Sequence, residues 1–193
     1  MRKDIKKFRN GIFNLNTRRF GSVSELFVKN AYGLIDSNIS SCNLFDPEFN
    51  ERVEVCASRA LVPHKMSAKN SILTECFDAS IKDRMIKYSN RYEKEFSCRF
   101  QQLKKGCFDR LVYVIFFKDV VVVYMAHSEE LNKDIGVTNT QHRNSVNECQ
   151  FSVNSFNIAK HDKNISAVFT YDEIFCYLSY GVEETENEAV KSK

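Results

Sequence analysis

Two apolar, β-rich segments separated by two polar residues constrain the fold of this chain more than any other feature. Residues 111–117 read Leu-Val-Tyr-Val-Ile-Phe-Phe and residues 120–125 read Val-Val-Val-Val-Tyr-Met, with a Lys-Asp pair between them. Such runs, rich in β-branched and aromatic residues, predict a β-hairpin. Because both runs are apolar at nearly every position, we expect two strands buried on both faces at the centre of a sheet.

Other segments predict a mixed arrangement of helices and strands around this hairpin. Further strands are predicted at 42–46, 52–57 and 150–153. Helices are predicted at 23–35 with Ser22 or Ser24 as N-cap, at 92–103, at 128–133 and at 170–178 with Thr170 as N-cap. This order predicts an α/β fold, a central mixed β-sheet flanked by helices, within one domain over 1–193.

Charge is distributed unevenly although the net charge is only +3. Residues 1–19 hold seven Arg and Lys against one acid, Asp4, and the tail over 183–193 is acidic. The basic arm is consistent either with phosphate contacts or with a solvated, poorly ordered terminus, and we expect the acidic tail to be frayed.

Neither a membrane span nor a secretory signal is visible, so we expect a cytoplasmic protein without membrane contact. The seven cysteines have irregular spacings and form no C-x-x-C pair. We interpret them as reduced residues, which argues against disulfides and against a zinc site.

The segment Asn43-Leu-Phe-Asp46, a short turn and Arg52-Val-Glu54-Val-Cys56 carries the candidate chemistry. Carboxylates on two adjacent strands can converge on one divalent cation. Hard oxygen ligands suit Mg²⁺, which completes its coordination with water and phosphate. The sequence therefore predicts a Mg²⁺ site at Asp46 and Glu54.

This spacing resembles the metal centre of the PD-(D/E)xK nucleases, the superfamily of many type II restriction endonucleases. The run Val55-Cys-Ala-Ser-Arg59 is similar to that family's strand exit Val-Lys-Ala-Ser-Arg. The chain departs from the family at Cys56, which stands where the family has a catalytic lysine. Three explanations are open: another cation such as Lys65, Lys69 or Lys104 replaces it, the protein is a weakened or inactive variant, or the resemblance is accidental.

Further positions extend the resemblance over residues 20–155. Gly21-Ser-Val-Ser-Glu25 is similar to the opening helix of such nucleases, which implies that Glu25 is a third, outer carboxylate. Phe100-Gln101-Gln102-Leu-Lys104 resembles the family's glutamine-bearing helix, and Asn139-Thr-Gln141-His142-Arg143-Asn144 resembles a segment of some restriction endonucleases. Such side chains can pair with base edges in the major groove. The expected DNA-binding residues are Arg59, Gln101, Gln102, Lys104, Gln141, His142, Arg143 and Asn144.

The resemblance implies a Mg²⁺-dependent, sequence-specific endonuclease that cleaves double-stranded DNA as a homodimer, with Asp46, Glu54, Cys56 and Glu25 at its catalytic positions. The alternative is a non-catalytic DNA-binding or protein-interaction module of the same fold. A cysteine hydrolase that pairs Cys56 with His64, His127 or His142 is disfavoured, because an acid beside the thiol should raise its pKa.

Overall fold

The computed structural model describes residues 1–38, 42–63, 84–132, 135–138 and 148–179. Within these ranges the chain forms eight strands, namely β1 (Ile35–Asp36), β2 (Leu44–Asp46), β3 (Glu51–Arg59), β4 (Ser97–Lys104), β5 (Arg110–Phe116), β6 (Val120–His127), β7 (Glu148–Asn154) and β8 (Ile165–Thr170). The α-helices in the same ranges are α1 (Lys3–Asn14), α2 (Thr17–Tyr32), α3 (Ile158–His161) and α4 (171–179).

Six strands form one mixed sheet in the order β1-β2-β3-β5-β6-β8, and β4 pairs with β7 in a separate antiparallel ribbon. Only the central β3–β5 pair of the large sheet is parallel. The predicted α/β class with a mixed sheet flanked by helices is therefore confirmed. So is the predicted hairpin, since β5 and β6 pair in continuous antiparallel register.

Each face of the large sheet has its own core. On one face, Val53, Val112 and Val114 pack with residues of α1, α2 and α4. On the other face, Tyr113 and Ile115 pack with residues of the β4–β7 ribbon and α3. We call these the helix face and the ribbon face. β5 is buried on both faces, as its continuous apolar run predicts.

The N-terminal segment is a packed helix and not a poorly ordered arm. α1 buries Ile5, Ile12 and Phe13 on one side, while its lysines stay exposed. Arg9 is also buried and donates a hydrogen bond to the carbonyl of Lys118. Of the two alternatives for this segment, a poorly ordered terminus is wrong, because apolar residues at helical spacing lie between the basic residues.

α2 begins earlier than predicted. Its N-cap is Asn16, whose side chain accepts a hydrogen bond from the Arg19 N–H at 3.0 Å. Ser24, one of the two predicted caps, is buried mid-helix and donates to the Phe20 carbonyl. The helix ends at Gly33, where the left-handed conformation favours glycine.

Residues 97–104 form strand β4, where the sequence predicted a helix. Phe96, Phe100 and Leu103 are buried at spacings of four and three, which resembles a helical stripe. A β-bulge between Phe100 and Leu103, with Gln102 at a φ of 61°, produces the spacing of three within a strand. The bulge therefore explains the wrong prediction.

The capping box predicted at Thr170 is confirmed: Glu173 accepts from the Thr170 N–H, and the Thr170 hydroxyl accepts from the Glu173 N–H. No helix in the described part of the chain is long and apolar enough to cross a membrane.

Candidate functional site

β3 directs Glu54 and Cys56 toward the ribbon face. Successive strand residues point to opposite faces, and the neighbours Val53 and Val55 are buried on the helix face. In the parallel register, Glu54 lies beside Leu111 and Cys56 beside Tyr113, whose side chains belong to the ribbon-face core. Glu54 and Cys56 therefore share a face of the sheet.

Glu25 of α2 and Glu54 of β3 both interact with Asn43, the residue that precedes β2. The Asn43 side chain donates to Glu25 Oε2 at 3.3 Å and to the Val55 carbonyl at 3.4 Å. Its backbone N–H donates to the Glu54 carboxylate. Asn43 therefore bridges two carboxylates that are 29 positions apart in the sequence.

Burial raises the pKa of both carboxyl groups. Burial and the nearby charge of Glu25 raise the pKa of Glu54 to about 7, while the Asn43 N–H and Lys104 act in the opposite direction. Burial and Asp36 raise the pKa of Glu25, against the effect of Lys29. A carboxylate that retains protons near neutral pH is one that a cation would stabilise, and such perturbed acids are common at functional sites.

Asp46 does not converge with Glu54, contrary to the sequence prediction. The β2–β3 register pairs Leu44 with Val53 and Asp46 with Glu51, so Asp46 points to the helix face while Glu54 points to the ribbon face. Extending this register by one pair places Asn43, and not Asp46, opposite Glu54.

The carboxylate of Asp46 has its own partners at the end of the hairpin. It accepts hydrogen bonds from the N–H groups of Glu48 and Phe49 in the turn. Arg110 lies 3.1 Å from its second oxygen and also binds Glu51. Asp46 therefore closes a turn and pairs with an arginine, which are structural contacts.

Cys56 is half-buried at the position where the nuclease resemblance implies a lysine. Burial, together with the charge of Glu54, raises its pKa well above the usual value, so the thiol is neutral at physiological pH. His127 is on β6 near Glu51, beside the helix-face residue Arg110, and so cannot activate this thiol. His64 and His142 lie outside the described residues. The raised pKa also argues against a cysteine nucleophile.

Of the lysines predicted to replace the family lysine, Lys104 is the one that the structure describes near this site. Lys104 ends β4 and is exposed, and its charge lowers the pKa of Glu54. Lys65 and Lys69 lie outside the described residues.

The predicted DNA-binding residues fall into three groups. Gln101 is exposed on β4, and its amide donates to Gln150 of β7 at 3.2 Å. Arg59 points inward, where it donates to the Leu15 carbonyl and stacks on Phe20. Gln141, His142, Arg143 and Asn144 lie outside the described residues.

The outer face of the β4–β7 ribbon is polar along its length. Cross-strand neighbours are Ser97 with Asn154, Arg99 with Ser152, and, beyond the bulge, Lys104 with Glu148. Sequence reasoning missed Arg99 and Asn43. Alternation along β4 would have indicated Arg99, and counting the hairpin register outward from its turn would have indicated Asn43.

Two carboxylates, Glu25 and Glu54, are suited to hold a hard divalent cation such as Mg²⁺, which keeps several waters and few protein ligands. Within the described residues, no group of three or more His, Cys, Asp or Glu side chains could hold a metal ion. Comparison of the chain with protein-family models, with curated proteins and with solved structures finds no significant match.

Proposed function

We propose that this protein is a Mg²⁺-dependent endonuclease with a restriction-endonuclease-like core that acts on double-stranded DNA. The observation that carries the proposal is the juxtaposition of Glu25 and Glu54, with the pKa of Glu54 raised to about 7. The resemblance to PD-(D/E)xK nucleases implied that Glu25 faces the metal centre, and its position beside Glu54 supports that part of the proposal.

Glu25 and Glu54 would hold the cation. When bound, Mg²⁺ activates water and offsets the negative charge that develops on the scissile phosphate. Asn43 positions both carboxylates through its two hydrogen-bonding groups. Asp46 is not included in this centre, because two turn amides and Arg110 already bind its carboxylate.

Cleavage is expected to be slow. A lysine at the Cys56 position would supply a positive charge and a strong hydrogen-bond donor, and a neutral thiol supplies neither. Among the described residues, Lys104 is a cation whose charge lowers the pKa of Glu54. We propose that Lys104 replaces part of the missing charge from the neighbouring strand.

The outer face of the β4–β7 ribbon is the proposed DNA-facing surface. A two-stranded antiparallel ribbon fits the major groove of B-DNA, which is about 12 Å wide. Gln101 and Gln150 present an amide pair on this face, with Arg99 and Lys104 on either side along β4. Amides can read adenine, and flanking cations can contact phosphates.

A second candidate function is non-catalytic DNA binding by the same fold. The neutral Cys56 thiol favours it, as does Asn43, an amide and not an acid, opposite Glu54. Such a protein would use the ribbon to bind DNA without hydrolysing it.

The test is incubation of supercoiled plasmid and mixed-sequence duplex DNA with the protein, in Mg²⁺ or in EDTA. We expect slow, Mg²⁺-dependent nicking that Glu54→Gln and Glu25→Gln abolish while leaving DNA binding intact. Glu129→Gln removes an exposed acid elsewhere and serves as the matched control. DNA binding without any nicking would support the second candidate, and absence of both would show that the proposal is wrong.

A further inference from the structure

A second basic site lies at the other end of β3, away from Glu54. A pocket of about 370 Å³ opens between the start of α2, the end of β3 and the start of β4. Its polar lining consists of three arginines and three hydroxyl residues: Arg59, Arg84, Arg99, Thr17, Ser58 and Ser97. No described lining residue is acidic. The described wall therefore brings three positively charged side chains to one cavity.

The guanidinium of Arg59 is fixed in the wall of this pocket. It stacks on the Phe20 ring at 3.8 Å and donates from Nη2 to the Leu15 carbonyl at 2.6 Å. Its Nε–H is buried and has no hydrogen-bond partner in the described part of the chain. The ring contact and the hydrogen bond therefore hold the guanidinium in one position beside the pocket.

The other two arginines approach from different elements. Arg84 is held by a hydrogen bond from its Nε to the Val62 carbonyl at 3.0 Å. Arg99 is exposed on β4 and lines both this pocket and the neighbouring one over the ribbon. Thr17 opens α2, and the N-terminal end of a helix carries partial positive charge. Together with Arg59 of β3, four separate segments thus direct positive charge to one cavity.

We propose that this pocket binds a phosphate group through Arg59, Arg84 and Arg99. Guanidinium groups bind phosphate oxygens through paired, charge-assisted hydrogen bonds, and the hydroxyls of Ser58 and Ser97 can add further donors. The ligand is either a backbone phosphate of DNA or a free phosphate compound.

The assignment of the ligand as a DNA phosphate rests on the proposed function, and it fits the distance between Glu54 and the pocket. Glu54 and Ser58, which lines the pocket, point to the same face of β3 and are four residues apart, which corresponds to about 13 Å. DNA advances about 3.4 Å per base pair, so this distance spans about four base pairs. A duplex that reaches Glu54 would therefore also reach the pocket and be held in register there.

The experiment is calorimetric titration of the full chain with pyrophosphate in EDTA. We expect saturable binding that Arg84→Gln and Arg99→Gln each weaken about tenfold, whereas Arg99→Lys retains most of it. Lys160→Gln, which removes an exposed charge outside the pocket, should bind like the unmodified protein. Circular dichroism checks that each variant is folded. Absence of saturable binding, or equal binding by folded Arg84→Gln and Arg99→Gln variants, would overturn the proposal.

Competition identifies the source of the phosphate. If duplex DNA displaces pyrophosphate, and Arg99→Gln lowers the salt dependence of DNA binding by about one charge, the ligand is a backbone phosphate. If pyrophosphate binds but DNA does not compete, the pocket serves a free phosphate compound. Glu54→Gln should leave pyrophosphate binding unchanged, so loss of the metal centre and loss of this pocket are separately observable.

Discussion

The charge of Glu25 acts on Glu54 across the end of the β2–β3 hairpin and, together with burial, raises the pKa of Glu54 to about 7. The two residues come from different elements, α2 and β3, and Asn43 donates hydrogen bonds to both. Such a pair favours a bound proton or a bound cation over two bare charges. The first prediction follows from this competition.

Glu54→Gln should stabilise the metal-free protein at high pH. A carboxyl whose pKa is raised on folding stabilises the folded state below its unfolded pKa of about 4.5, and this contribution is lost as the pH rises toward 7. Urea unfolding should therefore show a gain for Glu54→Gln of up to about 3 kcal/mol at pH 8, and little gain at pH 4.

With added Mg²⁺ or Mn²⁺, the unmodified protein should become more stable at pH 8 than Glu54→Gln. The cation stabilises the unmodified protein at pH 8 more than at pH 5, because protons compete for the same carboxylates. Glu54→Gln should respond weakly at both pH values. An equal response of both proteins would contradict a metal site at Glu54.

Asp46→Asn should reduce stability without affecting metal binding. Asp46 is buried and pairs with Arg110, which retains Glu51 as a second partner, so we expect a loss of about 1–3 kcal/mol. Asparagine keeps an oxygen that can accept from the turn amides. Mn²⁺ affinity should stay within about twofold of the original. A loss of Mn²⁺ affinity as large as that caused by Glu54→Gln would show that Asp46 is a ligand of the metal ion.

Features set by local sequence could be predicted, whereas those set by strand register could not. Local signals were sufficient for the β5–β6 hairpin and for the capping box at Thr170. The face on which Asp46 lies depends on hairpin register, and a shift of one residue reverses every side chain. The identification of two strands was therefore correct, while the pair of converging residues was wrong.

β4 was mispredicted because its pairing is not local. Its partner β7 begins more than 40 residues later, and the bulge at Gln102 gives β4 a helix-like spacing of buried residues. Phe96, Cys98 and Phe100 alternate as in a strand, whereas the spacing of three from Phe100 to Leu103 is that of a helix, so the segment carries both patterns. The glutamines were expected on a helix and lie on a ribbon, which changes the surface they present.

Cys56→Lys should create or increase DNA cleavage. A cation placed near a developing anionic centre contributes on the order of 10²–10³ in rate. It should also pair with Glu54, whose proton affinity would fall. Single-turnover cleavage of a plasmid measures the effect, and Cys56→Met is the matched neutral control. Equal rates for folded lysine and methionine variants would show that this position does not serve the reaction.

His161→Phe should make the free energy of unfolding less dependent on pH below about 6.5. His161 is fully buried, shares a hydrogen bond with the Tyr113 hydroxyl, and has an unpaired Nε2 within the described structure. Burial lowers its pKa to about 4. A histidine with a lowered pKa loses its stabilising effect as the pH falls from about 6.5 to 4, by up to about 3 kcal/mol.

The measurement is urea unfolding of both proteins from pH 7.5 to pH 4. The variant loses the hydrogen bond to Tyr113, so it should be less stable at pH 7.5, and the difference should shrink as the pH falls. Tyr113 keeps its hydrogen bond from Asn164. If the free energies of unfolding of the two proteins change equally with pH, His161 does not titrate in this range.

Gln101→Ala should reduce discrimination between DNA sequences more than it reduces overall affinity. Gln101 lies on the outer face of the β4–β7 ribbon and donates to Gln150, which holds the amide in a fixed orientation. An amide that reads a base edge contributes about 1–3 kcal/mol against the wrong base pair, whereas a phosphate contact weakens all sequences equally. Binding to a duplex selected from a random pool, compared with unselected duplex, separates these effects over a salt series. We expect Gln101→Ala to weaken only the selected duplex, and Arg99→Gln to weaken both and to lower the salt slope. If Gln101→Ala binds both duplexes as the unmodified protein does, the ribbon does not read DNA sequence through this residue.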